Sequence, residues 1–219
     1  GQVAADGTYT SAIDNPNARF FTMIGTLIRG RVSVGGSARA AAEVALSIAG
    51  RYALERTQFE DPSGSEVVLM DYRVHQRRLL PLIAQAYAYR FAQNQLVARM
   101  HRLQIETNPD PQAQREPEAR AAGLKAAQTQ LATAAIQERR EACGGAGYLS
   151  ENRLTTLKAD TDVFTTFEGD NTVLWQLVAK ELLTSYAKDV RGLQPAHMAQ
   201  FVASNIADTV KERTAASQL

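Results

Sequence analysis

Residues 141–183 read EACGGAGYLSENRLTTLKADTDVFTTFEGDNTVLWQLVAKELL. An alanine-rich helical run ends in this stretch at Gly144-Gly145-Ala146-Gly147, where glycine suits a left-handed C-cap. A mixed segment follows from Tyr148 to Gly169, with room for a short helix. A further helix then opens near Asn171, a side chain suited to an N-cap. Its apolar stripe is Leu174, Leu177, Val178 and Leu182, at helical spacing.

The same period extends upstream. A first long run covers residues 17–57, with Phe20, Phe21, Ile24, Leu27 and Ile28 followed by Ala41, Val44, Ala45, Ile48 and Tyr52. Glycine costs about 1 kcal/mol inside a helix. The pair Gly35-Gly36 therefore marks a close approach by another backbone or a ligand, or a local break. Pro62, Ser63 and Gly64 form a polar turn. The second helix covers residues 72–105, with Leu79, Leu80, Ile83, Tyr87, Phe91 and Val97 as its expected buried face. Residues 106–118, with three prolines, read as a loop. The third helix covers residues 119–142, with Leu124, Leu131 and Ile136 as its larger core residues. Downstream, residues 195–213 predict a fifth helix carrying Met198, Phe201, Val202, Ile206 and Val210, with Pro195 at its start. Long helices with short joints predict an all-α, up-and-down bundle of four to five long helices.

Composition narrows the function classes. Hydrophobic residues make up 45% of the 219, enough for a sizeable core. Charges nearly cancel, at 24 basic against 23 acidic, and no basic stripe marks a nucleic-acid partner. Cys143 is the single cysteine. It excludes an internal disulfide and a cysteine zinc cluster, and points to a reducing compartment. No metal-ligand set stands out, no apolar run is long enough to span a membrane, and residues 1–10 lack the layout of a signal peptide.

Two motifs in the opening stretch carry a family resemblance: Cys143-Gly144-Gly145-Ala146-Gly147-Tyr148 and Phe167-Glu168-Gly169-Asp170-Asn171-Thr172. In this order and spacing they resemble the C-terminal helical domain of acyl-CoA dehydrogenases, and more closely that of acyl-CoA oxidases. Two upstream segments are also similar to that family: RYALERTQF at 51–59 and HQRRLLPL at 75–82. The resemblance implies FAD as cofactor, an acyl-CoA substrate, and α-proton abstraction coupled to β-hydride transfer, giving the 2,3-enoyl-CoA. In such a reaction the flavin carries the redox step, and the protein supplies base, position and electrostatics.

The resemblance assigns the catalytic base to Glu168. A carboxylate in a dry pocket is the stronger base, and the backbone N–H of the same residue is expected to help hold the thioester oxygen. Gly169 leaves room beside it, and Phe167 either lines the acyl pocket or belongs to the core. Arg31 matches an arginine near the CoA chain. Arg56, Gln76, Glu141, Gly144, Gly145, Asp170 and Thr172 match flavin contacts. Several of these reach the flavin of a neighbouring subunit, so the resemblance implies a homo-oligomer, a dimer or a dimer of dimers. Glu141 stands where dehydrogenases usually carry glutamine, which tilts the match towards oxidases. The electron acceptor is then O2, or an electron-transfer flavoprotein in a dehydrogenase.

Without the resemblance, Glu168 is an acidic residue favoured by a helix N-terminus, the glycine turn is an ordinary cap, and Arg56 is a solvated charge. The resemblance also divides the chain. Residues 1–16 are expected to be a linker from a missing β-domain, 17–190 the flavin and acyl-CoA bundle, and 191–219 an extra helix leading to a further region. A fragment of that kind is expected to be inactive alone. The expected compartment is cytoplasmic, with the peroxisome as alternative because Ser217-Gln218-Leu219 is close to a peroxisomal tripeptide. A competing reading keeps the fold as an inactive dimerisation or docking module.

Overall fold

The computed structural model describes residues 1–106 and 115–191, together with Ser204 and Asp208. The expected helix over 195–213, the terminal tripeptide and the side chains of Phe21 and Ile24 lie outside the described residues. The chain divides into two compact units, Gly1–Val178 and Ala179–Leu219.

In the first unit, a two-residue hairpin, β1 (Gln2–Val3) with β2 (Tyr9–Thr10), precedes a short helix, α1 (Pro16–Ile24). Three long helices follow: α2 (Leu27–Glu55), α3 (Arg73–Ile105) and α4 (Arg115–Ala142). A second hairpin, β3 (Thr57–Glu60) with β4 (Glu66–Val68), joins α2 to α3, its turn built on the expected Pro62-Ser63-Gly64. After α4 come the short helix α5 (Leu154–Asp162) and α6 (Asn171–Arg191). The first run is not continuous, because it breaks at Gly25-Thr26.

Paired residues fix the directions. Gln93 donates to the carbonyl of Val32 and Arg90 pairs with Glu43, so α3 runs antiparallel to α2. Arg120 meets Gln95 and Arg78 meets Glu138, so α4 runs antiparallel to α3. The up-and-down bundle is therefore the architecture observed.

The core explains why so much alanine is needed. Ala38, Ala42, Ala45, Ala49 and Ala53 of α2 face Ala132, Ala135 and Ile136 of α4, all at or near zero exposure. Small side chains let two helix axes come close, and alanine loses no rotamer freedom on burial. Gly35 is part of this seam: a Cβ there would lie 3.2 Å from the Cα of Lys125. Of the alternatives for the glycine pair, close backbone approach holds at Gly35, Gly36 faces the side chain of Gln93, and α2 stays unbroken.

The expected buried face of α3 needs correction. Leu79 is buried and Ile83 packs on the core, but Leu80, Tyr87 and Phe91 are 52%, 59% and 67% exposed, and Val97 is also exposed. The inward positions are Leu79, Ala86, Gln93, Leu96 and Leu103. Three leucines thus share the inward face with Ala86 and Gln93, and Leu80, Tyr87, Phe91 and Val97 are left outside.

In the second unit the described residues are the end of α6, with Ser204 and Asp208. There the hydroxyl of Thr184 donates to the carbonyl of Lys180. Lys188 and Arg191 stand in the last turn, favourably placed for the helix dipole.

Candidate active site

Glu168 lies in the loop between α5 and α6, and two consecutive residues there have left-handed backbone: Glu168 at φ 58° and Gly169 at φ 116°. A non-glycine residue in that region is strained by roughly 1–2 kcal/mol, so surrounding contacts must hold it. The turn directs the Glu168 side chain onto Gly30 in the first turn of α2. A Cβ at Gly30 would lie 2.6 Å from Oε1 and 2.5 Å from Oε2 of that carboxylate. Oε2 is buried and has no hydrogen-bond partner. An unpaired buried carboxylate oxygen is costly unless something else meets it.

The peptide groups of the loop are sorted by direction. The carbonyl of Glu168 accepts from Nε of Arg31 at 3.3 Å. The carbonyls of Thr165 and Gly169 accept from Nζ of Lys125 at 3.3 and 2.7 Å. The N–H of Glu168 meets no acceptor among the described residues. A free N–H beside a free carboxylate oxygen is the pair that enolate formation from a thioester requires.

Arg31, Gly169 and Glu168 are thus brought together. Phe167 is 53% exposed, so of its two readings the core one is removed. Asp170 is exposed and its carboxylate accepts the N–H of Thr172 at 2.8 Å. Hydrogen bonds from Thr172, backbone first and then hydroxyl, hold the Asp170 carboxyl below the usual range. Asp170, not Asn171, is therefore the cap of α6. Asn171 instead turns inward: its Oδ1 accepts from Lys125 at 3.0 Å, and its Nδ2 donates to the hydroxyl of Thr129 at 2.9 Å.

The other matched residues gather at the far end of α2. Arg31 sits near its start and Glu55 closes it, about 36 Å away at roughly 1.5 Å per residue. Arg56 follows directly; it is exposed, and its guanidinium makes no hydrogen bond among the described residues. Gly144 is the left-handed C-cap expected for α4, at φ 55°. Beside both Gly144 and Gly145 a Cβ would find open space. Gly147 is glycine for another reason, because a Cβ there would collide with the carbonyl of Arg140. A cleft lined by Arg51, Tyr52, Glu55, Cys143, Ala146 and Asn152 joins this turn to the end of α2. Gln76 donates to the carbonyl of Met70 at 2.9 Å. Glu141 is held by Gln137 and by Arg78, the latter at 3.5 Å. An exposed guanidinium and glycine backbone with free space at the same end of the bundle suit a diphosphate, so these residues fit the flavin that the resemblance implies. Cys143 is buried, and burial pushes its thiol pKa up, as expected of a packing residue.

Lys125 is the functional candidate that the sequence reading missed. It is fully buried, and burial pushes its ammonium down to about 8 against the pull of Asp170 and Glu168. Its pKa when unfolded lies near 10.5. The unfolded chain therefore binds the extra proton between those values, and this group makes stability rise with pH there. The expected result is a melting temperature that climbs less, or falls more, between pH 8 and 10 in Lys125→Met than in the wild type. Parallel curves would show that the ammonium has no lowered pKa.

Comparison with known proteins bears on the fold and the family. The family described as acyl-CoA oxidase, C-alpha1 domain, matches residues 24–183. Acyl-coenzyme A oxidase 2, peroxisomal, of Arabidopsis thaliana is 41% identical over 192 residues, covering 88% of this chain and 28% of the relative. An acyl-CoA oxidase from tomato superposes with a TM-score of 0.76 at 34% identity, over 89% of this chain and 29% of that one. Acyl-CoA oxidase-2 of Caenorhabditis elegans, solved with FAD, ascaroside-CoA and ATP, gives a TM-score of 0.69 at 26% identity, over 90% and 30%. The chain spans less than a third of each of these relatives. With the family matched over most of its length and the helices in the same arrangement, the chain belongs to the acyl-CoA oxidase family, in its C-alpha1 domain.

Proposed function

We propose that this chain supplies the base and part of the flavin site of an FAD-dependent acyl-CoA oxidase forming 2,3-enoyl-CoA. The observation that carries the proposal is the Glu168 carboxylate, seated over Gly30 with its Oε2 buried and unpaired. Glu168 takes the α-proton of the thioester, and its N–H, which meets no acceptor among the described residues, holds the developing oxygen charge. Arg31 steadies the loop through the Glu168 carbonyl and presents its remaining N–H groups for the CoA chain. Phe167 and Gly169 border the acyl group. Bound FAD supplies the two-electron acceptor for the β-hydride.

Arg56, Gly144 and Gly145 are assigned to the flavin diphosphate, with Gln76 and Glu141 beside them and Asp170 and Thr172 at the base-bearing end. Because the two sets stand at opposite ends of α2, we assign them to two flavins shared between two copies of the chain. The exposed stripe of Leu80, Tyr87 and Phe91 on α3 supports such an assembly, since a patch of this kind is commonly covered by a partner. Residues 1–16, 17–190 and 191–219 remain the proposed linker, bundle and extra helix. The relative's printed compartment supports the peroxisome over the cytoplasm, and the oxidase match supports O2 over an electron-transfer flavoprotein.

The test is anaerobic addition of acyl-CoA to the flavin-loaded full-length protein. Loss of flavin absorbance, then hydrogen peroxide on admitting air, is the expected result. Bound flavin that never bleaches across a range of acyl chains would favour the docking-module reading. A second variant tests the glycine turn. Gly145→Ala has room for its methyl in the chain alone, so the melting temperature of the flavin-free protein should hold. Flavin dissociation should become about tenfold faster if the backbone approaches the diphosphate closely. Unchanged flavin retention would remove Gly145 from the site.

A further inference from the structure

The loop that carries Glu168 is anchored from behind by one side chain. Lys125 leaves α4 at a fully buried position, in the register of Ala121, Ala122, Gln128 and Thr129. Its ammonium has three N–H donors, and three acceptors surround it: the carbonyl of Thr165, the carbonyl of Gly169 and Oδ1 of Asn171. Two of these flank Glu168 in the chain, and the third opens α6. Asn171 is itself fixed to Thr129 at 2.9 Å, and the Thr129 hydroxyl donates to the carbonyl of Ala126 at 3.1 Å. The network closes on α4, so the loop is held to the most deeply packed helix of the bundle.

This arrangement explains how Glu168 keeps its left-handed backbone. With the carbonyls on either side drawn towards α4, the peptide groups at Glu168 turn the opposite way. Its side chain then lies over Gly30, and its N–H stays free. We propose that Lys125 is the positioning residue for the Glu168 carboxylate: it holds the Thr165 and Gly169 carbonyls to α4 and so seats the base over Gly30. This rests on the reading of Glu168 as the base. The charged groups around the ammonium are Asp170, Glu168 and Arg31, and its direct hydrogen bonds all go to uncharged oxygens. The role is therefore mechanical: it fixes the place of the base.

The test compares Lys125→Met with Leu131→Ala in the flavin-loaded full-length protein. Leu131 is buried in the same helix, and its apolar side chain has no hydrogen bond to give the loop, so it controls for lost stability. Two readouts are needed. Amide hydrogen exchange, read by mass spectrometry, should rise in residues 163–172 of Lys125→Met while residues 128–142 stay protected. At saturating acyl-CoA, kcat should fall about 30- to 100-fold, as for a base displaced by about 1 Å, with KM within about threefold. Leu131→Ala should loosen the bundle broadly and keep kcat within about threefold.

If the loop of Lys125→Met exchanges no faster than wild type, or kcat follows the Leu131→Ala control, the proposal is overturned. Should Glu168→Gln retain activity, the base assignment fails, and the exchange measurement still decides whether Lys125 anchors the loop. Lys125→Gln, which keeps two donors on a shorter stem, replaces the methionine variant if that one does not fold. If neither folds, Lys125 supports the whole bundle and its positioning role is rejected.

Discussion

Glu168→Gln is expected to slow flavin reduction by acyl-CoA by about 10²- to 10⁴-fold, the usual contribution of a positioned general base. The amide matches the carboxylate in shape and has no useful basicity. Its smaller charge does not disturb the fold, because Oε2 has no hydrogen-bond partner to lose among the described residues. The left-handed backbone, the contact with Gly30 and the Arg31 hydrogen bond to the carbonyl are all compatible with glutamine. Flavin content, acyl-CoA affinity and melting temperature should therefore stay close to wild type while the rate of bleaching collapses. That split separates loss of a base from loss of structure. If the variant bleaches as fast as wild type, Glu168 is not the base, and the unpaired oxygen needs another explanation. A variant that loses flavin as well would place Glu168 in the support of the fold.

The family resemblance singled out this residue, because the motif that carries the resemblance is local. Phe167-Glu168-Gly169-Asp170-Asn171-Thr172 is continuous, and glycine after an acidic residue before a helix is legible without any fold. The same holds for the Gly144 cap and for the long helices, whose period is written along single segments. What remained hidden depends on partners far apart in the chain. Lys125 stands in AAGLKAAQTQLATAA, and a search for apolar spacing passes over it as a solvated charge. The one local sign is its register, in step with Ala121, Ala122 and Thr129 on the buried stripe. Its acceptors are 40 or more residues downstream, and spacing in one sequence does not connect them.

The choice of cap failed for the same reason. Asp170 and Asn171 are both good N-caps by type, and only the demand of Lys125 for an acceptor turns Asn171 inward and leaves the cap to Asp170. On α3, reading by size selected Leu80, Tyr87 and Phe91 as core. The inward face of α3 carries Leu79, Leu96 and Leu103 together with Ala86 and Gln93, so size alone does not pick out the buried positions. Large apolar residues are then left outside, and hydropathy alone does not distinguish a buried face from an exposed one.

Gly30→Ala is the second substitution with a large expected effect, and it tests the geometry where Glu168→Gln tests the chemistry. Alanine is the better helix former by about 1 kcal/mol, and α2 is regular at this point, so helix stability should be preserved or slightly raised. The added methyl has one conflict: it would stand 2.5 and 2.6 Å from the two Glu168 oxygens. Those atoms are the far end of a flexible side chain, and rotation about its torsions removes the clash at small cost in stability. The same rotation moves the base. A misplacement of about 1 Å is enough for a loss of about a hundredfold, so kcat should fall by about that factor with the melting temperature within a few degrees of wild type. Gly30→Ser should behave alike, because its Cβ meets the same oxygens, whereas Gly36→Ala alters α2 at a site facing Gln93 and should spare the rate. If Gly30→Ala reduces flavin at the wild-type rate, the carboxylate does not work from its seat over α2. The catalytic position of Glu168 would then have to differ from the one observed, even if Glu168 remains the base.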